Sequence, residues 1–163
     1  MTKETEIPLD FSMAKEKLLS FLENKDNAVM VLATSANNVV MARPVLIFNH
    51  ALDIYFFTWK HSRKCAQIEN NNQVALCKEK VEIEGMAEEI GLMTSEKNSK
   101  ILEVLRKKRP EAIKRWENKP NMVIIRIKPR FACIDGYFIE DDAYLEYIDF
   151  EGKHAYKVKW GYY

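Results

Sequence analysis

Residues 53–75 read DIYFFTWKHSRKCAQIENNNQVA, and the division of this stretch into elements decides the fold. Residues 54–58 are apolar, aromatic and β-branched, as a buried strand should be. Lys60, His61, Ser62, Arg63 and Lys64 follow with no acidic residue among them, and Gln67, Ile68 and Glu69 then read as helix, closed by the Asn run at 70–72. A strand that runs through a basic, hydroxyl-bearing turn into a helix can hold a phosphate. With Ser62 as N-cap, the first free backbone N–H groups, the positive end of the helix dipole, Arg63 and Lys64 all lie near one point. The capping-box position is Cys65, so no carboxylate of this helix competes for those amides. The alternative is an ordinary solvated basic turn.

Outward from this stretch the hydrophobic period supplies the rest. Phe11, Ala14, Leu18, Leu19, Phe21 and Leu22 recur at near-helical spacing behind a candidate N-cap, Asp10. Residues 28–34, 39–48, 52–58, 74–78 and 81–90 read as strands, with turns at 37–38, 49–50 and 70–72. After Gly91 the period changes. Residues 95–109 predict a helix, Pro110 opens a second one through Trp116, and Pro120 ends it. Residues 122–127, 131–139, 144–150 and 154–160 return to strand, the last two joined by Glu151 and Gly152. Many strands in meander order with few helices predict a mainly β protein, an antiparallel barrel with helical covers, in a single domain over 1–163.

Composition bounds the function classes. The chain of 163 residues is 47% hydrophobic, enough for one core and too short for two ordinary domains. Its formal charge of +1 gives no overall drive toward nucleic acid or anionic membrane. Charge is nevertheless segregated: residues 97–115 hold eight basic side chains against Glu103 and Glu111, and residues 131–151 hold seven acidic ones with no Lys or Arg. The two segments either pair, within a subunit or across a symmetric dimer, or form solvated faces. The basic segment lacks the interleaved aromatics of a nucleic-acid site, so no nucleic-acid partner is expected. Cys65, Cys77 and Cys133 form neither a CxxC nor a zinc pattern and read as reduced core or near-core thiols. With no signal-peptide run and no membrane-spanning stretch, the expected location is the cytoplasm, without a membrane partner.

Individual residues add candidates. Arg43, in VVMARPVLIF, should face away from Ala42 and Pro44; it needs either an anion or a structural ion pair. Pro44 holds Arg43 extended and suits an edge or a bulge. Thr58 ends its strand beside the basic turn and is either a ligand contact or a plain strand end. Lys80, before VEIEGMAEE, is otherwise an edge charge. His50, His61 and His154 make no triad and no metal pair, so no metal is expected and no catalytic residue is assigned; His61 alone sits in the phosphate turn. The terminal Trp160, Tyr162 and Tyr163 suit either a planar ligand or packing on a dimer partner.

Taken together, ARPVLIF, YFFTWKHSRKCAQIENNNQVAL and VEIEGMAEEI resemble the FMN-binding core of the pyridoxamine 5′-phosphate oxidase-like proteins, the FMN-binding split barrels. The likeness runs over 28–90, and the SRK-x-x-Q-I-E-N segment is its most specific part. It implies a six-stranded antiparallel split barrel, a homodimer, and FMN between the subunits. The family's FMN-contacting strand Arg falls on Arg43, and its backbone contacts fall on Val45, Leu46, Ile47 and Phe48. The strand-end pair falls on Phe57 and Thr58, and the phosphate-binding Arg and Lys on Arg63 and Lys64, beside the candidate cap Ser62. The Gln that contacts the flavin ring is Lys80 here. Two departures count against a true pyridoxamine phosphate oxidase: the family's vitamin-binding Lys corresponds to Phe48, and the C-terminal Arg- and His-bearing motif is absent from VKWGYY. The resemblance is strongest to the short general-stress and nitroimidazole-resistance members. It implies an FMN-dependent oxidoreductase passing electrons between a nicotinamide donor and a small organic molecule, or else a non-catalytic flavin, haem or deazaflavin binding or sensing protein.

Overall fold

The computed structural model describes residues 6–135 and 144–159, so residues 136–139 of one expected strand and the terminal Trp160, Tyr162 and Tyr163 lie outside the described residues. Ten strands and four α-helices are described: β1 (Ile7–Leu9), α1 (Phe11–Glu23), β2 (Val29–Ala36), β3 (Val39–Leu46), β4 (Phe48–His50), β5 (Asp53–Trp59), α2 (Arg63–Asn70), β6 (Gln73–Lys78), β7 (Val81–Leu92), α3 (Ser99–Lys108), α4 (Pro110–Trp116), β8 (Met122–Asp135), β9 (Tyr144–Asp149) and β10 (His154–Lys159).

All pairings are antiparallel, in the order β1-β10-β9-β8-β7-β6-β2-β3, with β5 on the first half of β8 and β4 on β5. The path ends at β1 and β3, so this is an open sheet. β8 organises it. Residues 122–127 pair with β5 and residues 131–135 with β9 along one edge, while β7 follows the other edge throughout. The sequence suggested two strands here; Lys128 and Pro129 do not interrupt the chain because β8 itself bulges beside them, Arg130 being the extra residue between the partners of Glu84 and Gly85.

Other boundaries differ for local reasons. The strand expected over 39–48 breaks at Ile47, whose N–H turns to the Ala28 carbonyl at 2.7 Å. Residues 95–109 begin with a single 3₁₀ turn, Glu96–Asn98, before α3. β1 has three residues and no period to announce it; it exists through its register on β10. Pro44 lies on an edge strand, where its missing N–H costs least.

Two apolar clusters hold these layers. Leu18 and Leu22 of α1, Ile68 of α2 and the inward residues of the sheet, among them Leu32, Phe56, Leu76, Ile83 and Ile125, form the larger. The smaller joins Leu102, Leu105 and Ile113 of α3 and α4 to Phe48, Tyr55, Met122 and Ile124 on the opposite side of β5 and β8. Cys65 is buried and Cys133 half-buried, whereas Cys77 is exposed, which corrects the expectation that all three lie in or near the core.

Among the described residues the basic and acidic segments do not pair with each other. Arg106 bonds Glu117, and Lys107 and Lys108 pair with Glu103 and Glu23; Glu146 takes Lys17 and Glu151 takes Arg130. No helix among them is long and apolar enough to cross a membrane.

Candidate functional site

Ser62 caps α2: its backbone is extended and its hydroxyl accepts the Cys65 N–H at 3.4 Å. The same oxygen accepts from the Thr58 hydroxyl at 3.2 Å, and Thr58 in turn accepts from the Lys64 ammonium at 3.0 Å. The end of β5, the cap and the first turn of α2 are therefore tied together by side chains of the basic turn itself.

Arg43 reaches the same place from β3. It faces away from the exposed Ala42 and Pro44, and its guanidinium donates to the Thr34 hydroxyl at 2.5 Å and to the Gln67 amide oxygen at 3.1 Å. Thr34 also donates to Gln67, whose amide nitrogen donates to the Val39 carbonyl at 3.0 Å. Thr34 and Gln67 are buried, so this network fixes Arg43 rather than merely touching it. Gln67 was read as a helix residue within the SRK-x-x-Q-I-E-N segment and given no site role of its own. The signal for its role was its place one turn after Arg63, on the same face of α2.

Three cations thus converge. Burial, then repulsion from Arg63, holds the Arg43 pKa below the ordinary arginine value. Burial pushes the Lys64 ammonium down, with the nearby Cys65 acting in the opposite direction and Arg43 adding repulsion. Among the described residues no carboxylate forms an ion pair with Arg43, Arg63 or Lys64. Arg43 and Lys64 are half-buried and Arg63 is exposed; partly burying cations without counter-charge is costly unless an anion joins them, and a phosphate dianion supplies both the charge and the acceptors.

Beside the cations lies a cavity of about 260 Å³, lined by Pro44, Val45, Leu46, Phe48, Phe57, Thr58, Trp59, Lys64, Trp116 and Met122. Its walls are largely aromatic: Phe48 and Phe57 lie 4.9 Å apart and Trp59 and Trp116 meet edge to face at 6.3 Å. Trp59, Trp116 and Met122 were not singled out in the sequence, because Trp116 arrives from a helix more than fifty positions downstream of the basic turn. Arg43, Val45, Leu46, Phe48, Phe57, Thr58, Ser62, Arg63 and Lys64 are thus brought to one region. Ile47 turns into the larger core. Lys80 stands apart, in the turn after β6, and lines a different groove with Glu79, Glu82, Glu84, Phe131 and Tyr147. His61 lines a third, with Glu69, Glu88 and Glu89 on the other side of α2.

The Lys64 shift has a pH consequence. A lysine whose folded pKa is depressed destabilises the fold while charged, so the ligand-free protein should gain stability as pH rises through the lowered value toward the ordinary one of about 10.4. A bound phosphate favours the charged form. Its affinity should therefore fall over that same alkaline window, and Lys64→Met should flatten the profile; phosphate-ester titrations between pH 7 and 10 measure this, and parallel profiles for the two proteins would remove Lys64 from the site.

The family model described as pyridoxamine 5′-phosphate oxidase matches residues 14–131. A comparison with curated proteins finds no match. Among solved structures, general stress protein 26 of Bacillus anthracis is 26% identical, over 73% of this chain and 91% of its own, with a TM-score of 0.59. A FAD-binding protein of Mesorhizobium loti shares 15% identity over 71% of this chain and 90% of its own, with a TM-score of 0.56. The haem storage protein HutZ of Vibrio cholerae shares 14% over 74% of this chain and 94% of its own, with a TM-score of 0.61. The last two likenesses are of fold alone.

Proposed function

The chain belongs to the pyridoxamine 5′-phosphate oxidase family, and from that premise we propose that it is a cytoplasmic, homodimeric FMN-binding flavoprotein that passes electrons between a nicotinamide donor and a small organic acceptor. The observation that carries the reading is the convergence of Arg43, Arg63 and Lys64, without a paired carboxylate, on the capped N-terminus of α2.

These residues fit FMN. Arg63, Lys64 and the free amides of α2 would take the phosphate, and Arg43, braced by Thr34 and Gln67, would close the anion site from the strand side. The hydroxyls of Thr58 and Ser62 orient the Lys64 ammonium, and the cavity walled by Phe48, Phe57 and Trp59 excludes water beside it. When bound, the isoalloxazine supplies two-electron chemistry, which is why the chain needs no triad of its own. Phe48, buried and apolar, offers nothing to a second phosphate, which speaks against pyridoxamine phosphate as the substrate.

In this reading β2, β3 and β5 to β8 are the six strands of the split barrel. The dimer would form on the outward face of β2 and β3, where Val40 is 72% exposed and Val29 51%, with Val31 and Leu46 beside them. An apolar stripe of this kind on an edge hairpin calls for a cover, and a second copy would bring its own groove, with Lys80, toward the first copy's cations. Lys80 would then meet the flavin ring only across the interface. A cation there favours the anionic reduced flavin, so Lys80→Gln should lower the reduction potential of bound FMN; an unchanged potential in spectroelectrochemical titration would remove that role.

The deciding experiment is the visible spectrum of the purified protein, mass analysis of the cofactor released on denaturation, and turnover with NADH or NADPH and an acceptor. Released FMN with turnover supports the proposal, flavin without turnover makes the protein a binder or sensor, and haem or no cofactor refutes it.

A further inference from the structure

The outward face of β7 to β10 is organised in rows by register. Glu82 opposes Cys133, which opposes Tyr147, which opposes Tyr156; in the next row Glu84 opposes Phe131, which opposes Asp149, which opposes His154. The aromatic members lie together. Phe131 and Tyr147 have ring centroids 5.6 Å apart, Tyr147 and Tyr156 5.2 Å, and His154 stacks on Tyr156 at 5.6 Å with an interplanar angle of 15°. This ladder ends in a groove of about 270 Å³ bounded by Glu79, Lys80, Glu82, Glu84, Phe131, Cys133, Leu145 and Tyr147. β9 and β10, which supply half of the ladder, lie beyond the matched residues 14–131.

Three carboxylates and one ammonium border that groove, and among the described residues none of Glu79, Glu82 and Glu84 forms an ion pair. Arg130, in the neighbouring part of β8, is engaged by both carboxylate oxygens of Glu151 at 2.8 and 2.9 Å. Burial raises the Tyr156 pKa, with Glu6 and Asp149 adding to the rise, and burial followed by Glu82 raises that of Cys77. We infer that the groove between the Lys80 turn and Tyr147 is a binding site for a planar organic cation, a pyridinium-type ring or a protonated aryl amine. The faces of Phe131 and Tyr147 present negative quadrupoles to such a ring, and Glu82 and Glu84 supply its counter-charge. An anionic ring of the same shape meets three carboxylates against the single ammonium of Lys80. The binding claim stands without a flavin; the step from ligand to electron acceptor rests on the proposed placement of Lys80 against the flavin ring.

The test titrates the protein as purified with N-methylquinolinium, following quinolinium fluorescence, and with neutral quinoline at pH 8 as the isostere. The cation should bind about tenfold or more tightly than quinoline. Glu82→Gln with Glu84→Gln, both at exposed positions that leave the core intact, should abolish that preference, and Lys80→Gln should tighten the cation. Equal affinity for the two rings, or an undiminished preference in the double variant, would overturn the site. Flavin content of the same preparation separates the two readings. A colourless protein that prefers the cation refutes the flavin and keeps the groove, whereas a flavin-loaded protein without the preference refutes the groove alone.

Discussion

FMN affinity should fall about a hundredfold or more when Arg63 and Lys64 are both replaced by alanine, while riboflavin affinity changes little. Each side chain offers a charge-assisted contact to the phosphate, worth roughly 1.5–3 kcal/mol, so each single variant should lose about tenfold or more. The two are adjacent, and their effects need not add. Riboflavin lacks the phosphate and isolates the contribution of the ring cavity. Flavin fluorescence titrations of both ligands measure the difference. If the double variant binds FMN as well as the parent, the phosphate lies elsewhere; if riboflavin binding collapses in parallel, the variant has damaged the fold and Arg63→Gln with Lys64→Gln becomes the test.

The second large effect concerns stability. A Cβ at Gly85 would lie 2.7 Å from the Ile127 side chain and 2.7 Å from the Lys128 carbonyl oxygen, and the latter is backbone that cannot step aside. Gly85 sits at the bulge that lets β7 follow β8 past Pro129. Gly85→Val therefore forces the two longest strands apart at their common bend, at a cost of about 1–3 kcal/mol or more. For a chain of this size that lowers Tm by roughly 2–12 °C, measurable by circular dichroism. An unchanged Tm would mean that the bend has slack that the distances deny.

Ser62, Arg63, Lys64 and the strand before them were legible because cap, dipole and charge lie within a few neighbouring residues, and local chemistry of that kind survives any tertiary context. The long β8 was not, since Lys128 and Pro129 look like a break until a bulge at Arg130 is seen to keep β8 in register with β7. Arg43 could be placed on the correct face by alternation, yet its partners Thr34 and Gln67 come from two other elements, and no period links residues 34, 43 and 67. Lys80 shows the opposite limit: a motif position transfers from a resemblance by alignment, while its distance from the other candidates is a property of the folded chain.

The braced cations also bear on the life of the protein. Arg43, Arg63 and Lys64 are held together in the native state and dispersed in the unfolded one, so an anionic cofactor binds only the former. At a free concentration a hundred times its Kd, such a ligand adds about 2.7 kcal/mol to the unfolding free energy. A difference of that size changes cellular abundance several-fold through proteolysis of opened molecules. If FMN is that ligand, as proposed, chains made during vitamin shortage would be degraded sooner than chains made in plenty, and the half-life of the protein would report flavin supply.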